Sequence, residues 1–247
     1  MQHIVDRLAT PPAGMSAVDF ARLSRVNRST IHRIAKGQTD PSLQTLRELA
    51  IVHGLDLDLR LRPLSDPAAA TAARILLDQA MASWAATPDE TRWANRLEPL
   101  EDPISITTTA GRASAPAERE GAVLLRGDQS ALRLASAGVA GGGPWAISGR
   151  AALAHAEGTD IAGGPSVLWV TDPVKTSRML LDTHRPVTSP VNAQVIVAPA
   201  SSSVFVDFWE AGPIRFVAPM QMLLDCIGLG GELEQAALQI AERWSTR

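Results

Sequence analysis

The most regular pattern in the chain is short and lies in its first quarter. Leu55, Leu57, Leu59 and Leu61 alternate strictly with Asp56, Asp58, Arg60 and Arg62. A period of two with one apolar face predicts a half-buried strand. Ahead of it the period is helical. Ser16 followed by Asp19 has capping-box spacing, which starts a helix at about Ala17 with Phe20, Ala21 and Leu23 on its apolar side. Asn27 is a suitable N-cap for a second helix, Arg28 to Lys36, and Gly37 a suitable stop. Asp40-Pro41-Ser42 then turns into a third helix, with Leu43, Leu46, Leu49 and Ala50 at helical spacing up to His53-Gly54.

Further along the pattern loosens. Asp66, Pro67 and an alanine-rich run predict a linker helix over 66–88, continuing to Trp84. Residues 97–120 are rich in Pro, Thr and Ser and show no clear period. From Gly121 the chain reads as short strands and helices. Strands are predicted at Ala122–Arg126, Ala131–Ala135, Ser166–Thr171, Ala193–Ala198, Val204–Trp209 and Ile214–Val217. Helices are predicted at Arg150–Glu157, Pro173–His184, Pro219–Cys226 and Glu232–Ser245, the last with Leu233, Ala237, Ile240, Ala241 and Trp244 on one stripe. This second part is of α+β character.

Composition narrows the picture. A chain of 247 residues, 45% hydrophobic and 20% charged, fits two globular domains and not a disordered tail. No apolar run approaches the roughly 20 residues of a membrane-spanning helix. Met1 to Leu8 includes His3, Asp6 and Arg7 and has no signal-peptide core, so a cytoplasmic protein is expected. The single cysteine, Cys226, excludes an internal disulfide and a thiolate-rich zinc site. The net charge of −3 hides an asymmetry: residues 1–64 hold nine Lys and Arg against six Asp and Glu, while acids exceed bases over the remainder. A basic segment beside an acidic one suits a nucleic-acid-facing module joined to something else.

Three short helices with a tight turn are the geometry that sets one helix into a DNA major groove. The candidate reader is Arg28 to Lys36. At about 100° per residue, Ile31 and Ile34 face one way and Ser29, His32, Arg33 and Lys36 the other, with no carboxylate among them. Arginine can grip guanine with two hydrogen bonds, and Ser, Thr and Lys can bond bases or phosphates.

The stretch from Ser16 to Leu61 resembles the lambda-repressor/Cro-like helix-turn-helix proteins, the XRE family. The resemblance rests on Phe20-Ala21, Val26, Ser29-Thr30-Ile31, Arg33-Ile34, Lys36-Gly37, Pro41-Ser42-Leu43, Thr45-Leu46 and Leu49-Ala50. It implies that Asn27, Arg28, Ser29, Thr30, His32 and Arg33 form the DNA-reading end of a recognition helix. Arg25 stands where the family usually has glycine, and Ala17 where a phosphate-contacting glutamine is common. Repressors of this geometry bind two half-sites about 34–36 Å apart, so a homodimer on a double-stranded operator is expected. The Leu55–Leu61 face pairs across its two-fold axis or packs on the linker helix. The layout that follows is an α + (α+β) chain. A Cro-like domain occupies residues 1–64, a linker helix 65–90, and an α+β interaction or regulatory domain 91–247.

The tail from Pro144 weakly resembles antitoxins of the AbiEi type. Trp145-Ala146-Ile147-Ser148-Gly149 before Ala151-Ala152-Leu153 supports this, as does Val217-Ala218-Pro219 before Leu223-Leu224-Asp225. The third stretch is Gly230-Gly231-Glu232 ahead of Ala236-Ala237 and Trp244. The resemblance implies autorepression beside a nucleotidyltransferase-type toxin, whose basic cleft Asp160, Asp172, Asp182, Glu232 and Glu234 would complement. The alternative is a ligand-responsive or phage-type repressor, with Trp145, Trp169 and Trp209 lining a small-molecule pocket.

Catalysis has no constellation to stand on, and no cofactor or metal is expected. Asp160, Asp172, Asp182, Asp207 and Asp225 are scattered, without the close pair a two-metal site needs. Asp207 reads as a solvent-facing strand residue, and His155 and His184 as solvated or capping histidines without ligand partners. Gly141-Gly142-Gly143-Pro144 lacks the Lys-Ser/Thr of a phosphate-binding loop, and Cys226 reads as core.

Overall fold

In the computed structural model, which describes residues 2–159 and 163–245, all three predicted N-caps near the start of the chain close their hydrogen bonds. Ser16 Oγ accepts from the Asp19 amide, Asn27 Oδ1 from the Ser29 amide and Ser42 Oγ from the Thr45 amide, each at 3.1 Å. These caps satisfy amides that have no partner inside the helix. They begin α2 (Ala17–Ser24), α3 (Arg28–Ala35) and α4 (Leu43–Val52), and a further helix, α1 (Gln2–Leu8), precedes them. The chain divides into two units, Met1–Arg62 and Pro63–Arg247.

The first unit closes around Leu8, Phe20, Ile31, Ile34 and Leu49, all buried. α1 was not legible because its seven residues carry no cap or clear stripe. It is tied in by Leu8, whose carbonyl accepts from His53 Nε2 at 3.2 Å, while the His53 ring meets Phe20 edge-on at 5.7 Å.

The strand expected at Leu55–Leu61 is absent. Residues 55–62 form neither helix, strand nor turn. A period-two pattern marks a face, but a strand exists only when a neighbour completes the hydrogen-bonded ladder. Only Leu57 packs on the core, whereas Leu61 is fully exposed.

The second unit is built on a seven-stranded mixed sheet. Its strands are β1 (Val123–Gly127), β2 (Trp145–Gly149), β3 (Ser166–Val170), β4 (His184–Pro186), β5 (Val195–Pro199), β6 (Trp209–Ala211) and β7 (Ile214–Phe216). Their spatial order is β4-β1-β5-β3-β2-β7-β6. β5 with β3 and β2 with β7 run parallel, and the other neighbours antiparallel. The three middle strands β5, β3 and β2 are buried almost throughout, as strands covered on both faces must be.

Eight helices accompany the sheet among the described residues: α5 (Pro67–Leu77), α6 (Pro88–Leu97), α7 (Pro103–Ala113), α8 (Ala131–Gly141), α9 (Arg150–Glu157), α10 (Pro173–Arg178), α11 (Pro219–Leu229) and α12 (Gly231–Ser245). Two tryptophans show that helices lie on both faces. The Trp145 ring rests on Gly138 of α8, where an added Cβ would lie 2.6 Å from it. Trp169 pairs with Ala146, the next residue along β2, and its indole reaches Asp225 of α11. Successive residues point to opposite faces, so α8 and α11 lie on opposite sides of the sheet.

Several expected elements change type or length. Ala131–Ala135 is the start of α8, not a strand: Leu134, Ala135, Ala137 and Gly138 are its buried face, and a five-residue apolar run cannot separate helix from strand by period. Val204–Trp209 is a short 3-10 turn, Ser202–Phe205, followed by Asp207 at φ +58°, and extended pairing begins only at Trp209. The helix from Pro173 stops at Arg178, and the chain turns into β4.

The helix expected as a linker belongs to the second unit's core. α5 ends at Leu77, and its Ala68, Ala69, Ala70, Ala72 and Ala73 are buried. Small side chains let its neighbours approach, and Arg74, fully buried, clamps the bend after it. Arg74 pairs with Asp78 at 2.9 Å and donates to the carbonyls of Ser203 and Val206 at 2.7 and 3.0 Å. The unreadable stretch 97–120 holds α7, whose Gly111 lies so close to α11 that a Cβ would sit 2.8 Å from Ile227.

Candidate nucleic-acid interface

The α2–α3 turn is set by Val26 against the core and by Arg25, which caps α2 in the left-handed conformation at φ +54°, ψ +20°. That conformation costs a side-chain-bearing residue free energy that glycine avoids. It leaves Arg25 exposed beside the start of α3. The sequence shows Arg25 only as a residue in a glycine's place; its position just ahead of α3 needs the fold.

On α3, Ile31 and Ile34 are buried, and Arg28, Ser29, His32 and Arg33 are exposed, with exposed Lys36 following at the C-cap. Thr30 is half-buried and is the least available of the seven candidates. Asn27 is exposed, yet its Oδ1 is occupied by the Ser29 amide and by the Ser29 hydroxyl, which donates at 3.0 Å. Its work is to fix the helix start. Arg28, His32, Arg33 and Lys36 have no ion-pair or side-chain hydrogen-bond partner among the described residues, whereas Arg22 is held by Asp19 at 2.9 Å. The one acid near the turn is thus neutralised, and a row of unpaired donors remains on one side of an eight-residue helix. Such a surface fits phosphates and base edges, both rich in acceptors.

The candidates in the second unit come apart in the fold. Trp145 and Trp169 point to opposite faces. Trp209 stacks on Phe216 and tilts toward His155, with ring centres at 4.6 and 5.2 Å. The three tryptophans therefore share no pocket. His155 lies in that aromatic stack, 5.0 Å from Phe216. His184 is buried rather than solvated: its Nε2 donates to the Asp128 carbonyl at 2.6 Å and its Nδ1 meets the Thr183 hydroxyl at 2.8 Å. Asp207 lies in a turn, not on a strand. Cys226 is buried, and burial pushes its thiol well up.

Among the acids proposed to meet a partner, Asp172 caps α10 by accepting from the Lys175 amide at 2.9 Å, and Glu234 pairs with Arg112 at 2.8 Å. Asp182 and Glu232 are exposed, and Asp160 lies outside the described residues. Asp225 is buried on α11 with a carboxyl raised to about 6, chiefly by burial. Among the described residues no group of three or more His, Cys, Asp or Glu side chains could hold a metal ion, and no helix is long and apolar enough to cross a membrane.

Residues 8–59 match the helix-turn-helix family HTH_3. The match runs from the end of α1 through α4, over the same helices whose geometry is described above. It makes this region the DNA-binding part of a transcriptional regulator. No curated protein and no solved structure matches the chain.

Proposed function

We propose that the chain is a sequence-specific repressor that reads duplex operator DNA with the exposed side of α3 and binds it as a homodimer. The observation that carries this reading is the set Arg28, His32, Arg33 and Lys36. All are exposed and unpaired among the described residues, and they stand opposite the buried Ile31 and Ile34. Arg33 serves as a base-edge reader and Lys36 as a phosphate contact. Replacing Arg33 by Ala costs about 1–3 kcal/mol of operator binding and relaxes sequence preference, whereas Lys36→Ala lowers the slope of log K against log salt by about one. Titration of both variants against operator and scrambled duplexes at several salt concentrations checks this. Unchanged binding by both removes the assignment.

For the second unit the proposed role is that of an antitoxin-like interaction domain, with a nucleotidyltransferase-type toxin as its partner. The support is that the three stretches carrying the resemblance, β2, α11 and the start of α12, pack around one another through α11. The separation of the three tryptophans speaks against the small-molecule alternative as framed. Growth rescue by the full-length chain of cells expressing the product of its neighbouring gene tests the antitoxin role, and failure to rescue or to co-purify ends it.

A further inference from the structure

Arg119 is a largely buried cation with donors to spare. It follows the turn Pro116–Glu118 ahead of β1, and its guanidinium lies over the Trp169 ring at 5.5 Å. Its Nη2 donates to the Ser114 carbonyl over a long 3.4 Å, while Nε and Nη1 are buried and meet no acceptor among the described residues. Two carboxylates attract it, Asp225 and Asp66, but both are committed elsewhere. Asp225 accepts from Trp169 and Gln221, each at 2.8 Å, and Asp66 from the Ala68 amide at 3.0 Å and the Trp93 indole at 2.7 Å. Arg74, by contrast, has Asp78 and two carbonyls against it. A guanidinium taken out of water with donors unused is costly unless something compensates its charge.

Beside it lies a cavity of about 10 Å³, lined by Arg119, Trp169 and Gln221 and by three hydroxyl side chains, Thr71, Ser201 and Ser203. That volume holds one sphere of about a water's size, too small for a phosphate or a carboxylate group. The hydroxyls form a chain, with Thr71 Oγ1 and Ser201 Oγ each 2.8 Å from Ser203 Oγ. Thr71 also reaches the Pro67 carbonyl at 3.2 Å. Hydroxyl hydrogens rotate to suit their surroundings. The chain can therefore run from Thr71 through Ser203 to Ser201 and leave the Ser201 O–H to donate into the cavity. Pro67, which also lines it, is exposed, so an ion has a way in. A neutral water leaves the charge of Arg119 uncompensated, whereas a monatomic anion accepts from these donors and supplies the missing charge.

We propose that this cavity is a halide site, taking chloride between the Arg119 guanidinium and the hydroxyls of Ser201 and Ser203. The ion ties the Ser202–Phe205 turn, and α5 through Thr71, to the segment ahead of β1. The site lies wholly within the second unit and is independent of the DNA-binding reading.

The experiment is urea unfolding of the full-length chain, with chloride exchanged for gluconate at constant ionic strength and pH. All six tryptophans lie in the second unit, so their fluorescence reports that unit alone. One ion bound only to the folded state raises the folded-to-unfolded ratio about tenfold for each tenfold rise in chloride above the dissociation constant. Arg119→Met replaces the cation by an apolar chain and abolishes this dependence. Ser201→Ala removes a half-buried hydroxyl bonded to Ser203. It keeps the dependence but moves it to about tenfold higher chloride. Should Arg119→Met fail to fold, wild-type crystals grown in bromide decide alone, with an anomalous peak expected within hydrogen-bond reach of Arg119 Nε or Nη1. Equal stability in chloride and gluconate, the result if water alone fills the cavity, overturns the proposal. So does a chloride dependence that survives Arg119→Met, or a cavity without a bromide peak.

Discussion

Asp225 offers the sharpest test of how the second unit is held together. It is 1% exposed on α11. Its Oδ2 accepts the Trp169 indole N–H and its Oδ1 accepts Gln221 Nε2, both at 2.8 Å. Burial raises the carboxyl from 3.8 to about 6, while neighbouring Ser148, Trp169 and Gln221 and the charge of Arg119 draw it partly back. Arg119 is itself largely buried and lies over the Trp169 ring at 5.5 Å. Between those pH values the folded chain holds a proton that the unfolded chain releases. Stability from this group is therefore full below pH 4 and declines as pH rises through 6. The displacement corresponds to about 3 kcal/mol.

Asp225→Asn removes the ionisation and keeps the shape. Gln221 can turn its amide so that its oxygen accepts from the introduced N–H, and the Trp169 donor keeps an oxygen to meet. Urea unfolding followed by tryptophan fluorescence from pH 4 to pH 8 gives the stability of both proteins, and their difference cancels every other titrating group. Wild type should lose about 3 kcal/mol relative to the variant across that range. A difference that stays flat to within about 1 kcal/mol would refute the account of Asp225 as a carboxyl buried against its own charge.

Two further outcomes follow from the same kind of reasoning. Arg74→Met leaves Asp78 and the Ser203 and Val206 carbonyls without their donor, which should cost about 3–5 kcal/mol and be read as an early calorimetric transition with α3 function retained. Arg25→Gly relieves the left-handed side chain. Because glycine also loosens the unfolded chain, the net gain should be under about 1 kcal/mol; operator affinity should fall, since an exposed cation leaves the turn.

Helices α2 to α4 are legible because each of their signals is local. Ser16, Asn27 and Ser42 act within three residues of themselves, and Ile31 and Ile34 declare their face by spacing alone. The Leu55–Leu61 run misleads for the opposite reason. Its pattern is as regular as any in the chain, but a strand needs a second strand, and period cannot say whether one is present. The same limit hid β2 and β4. β2, Trp145–Gly149, is buried on both faces and so shows no alternation, while β4 has three residues. The sequence marks α5 as a helix but not as core, because burial by small residues leaves no hydrophobic stripe. The exposed polar side of α3 and the cap at Asn27 are visible in the sequence; the half-burial of Thr30 and the left-handed stance of Arg25 are not.

The charge asymmetry takes on a sharper meaning in the structure than a sum along the sequence gives it. Within the first unit the acids do not dilute the bases evenly. Asp19 is held by Ser16 and Arg22, and Asp58 by Arg60. Those pairs are exposed and contribute little stability, yet they decide where uncompensated charge remains. Among the bases of this unit with no ion-pair partner among the described residues, Arg25, Arg28, Arg33 and Lys36 lie along the turn and one side of a single helix. A positive field from so small a patch falls off within about a Debye length at physiological salt. It therefore acts on a partner only when α3 is already close to it. A polyanion of regular spacing, reached by two such patches at once, meets that condition better than a single small anion does.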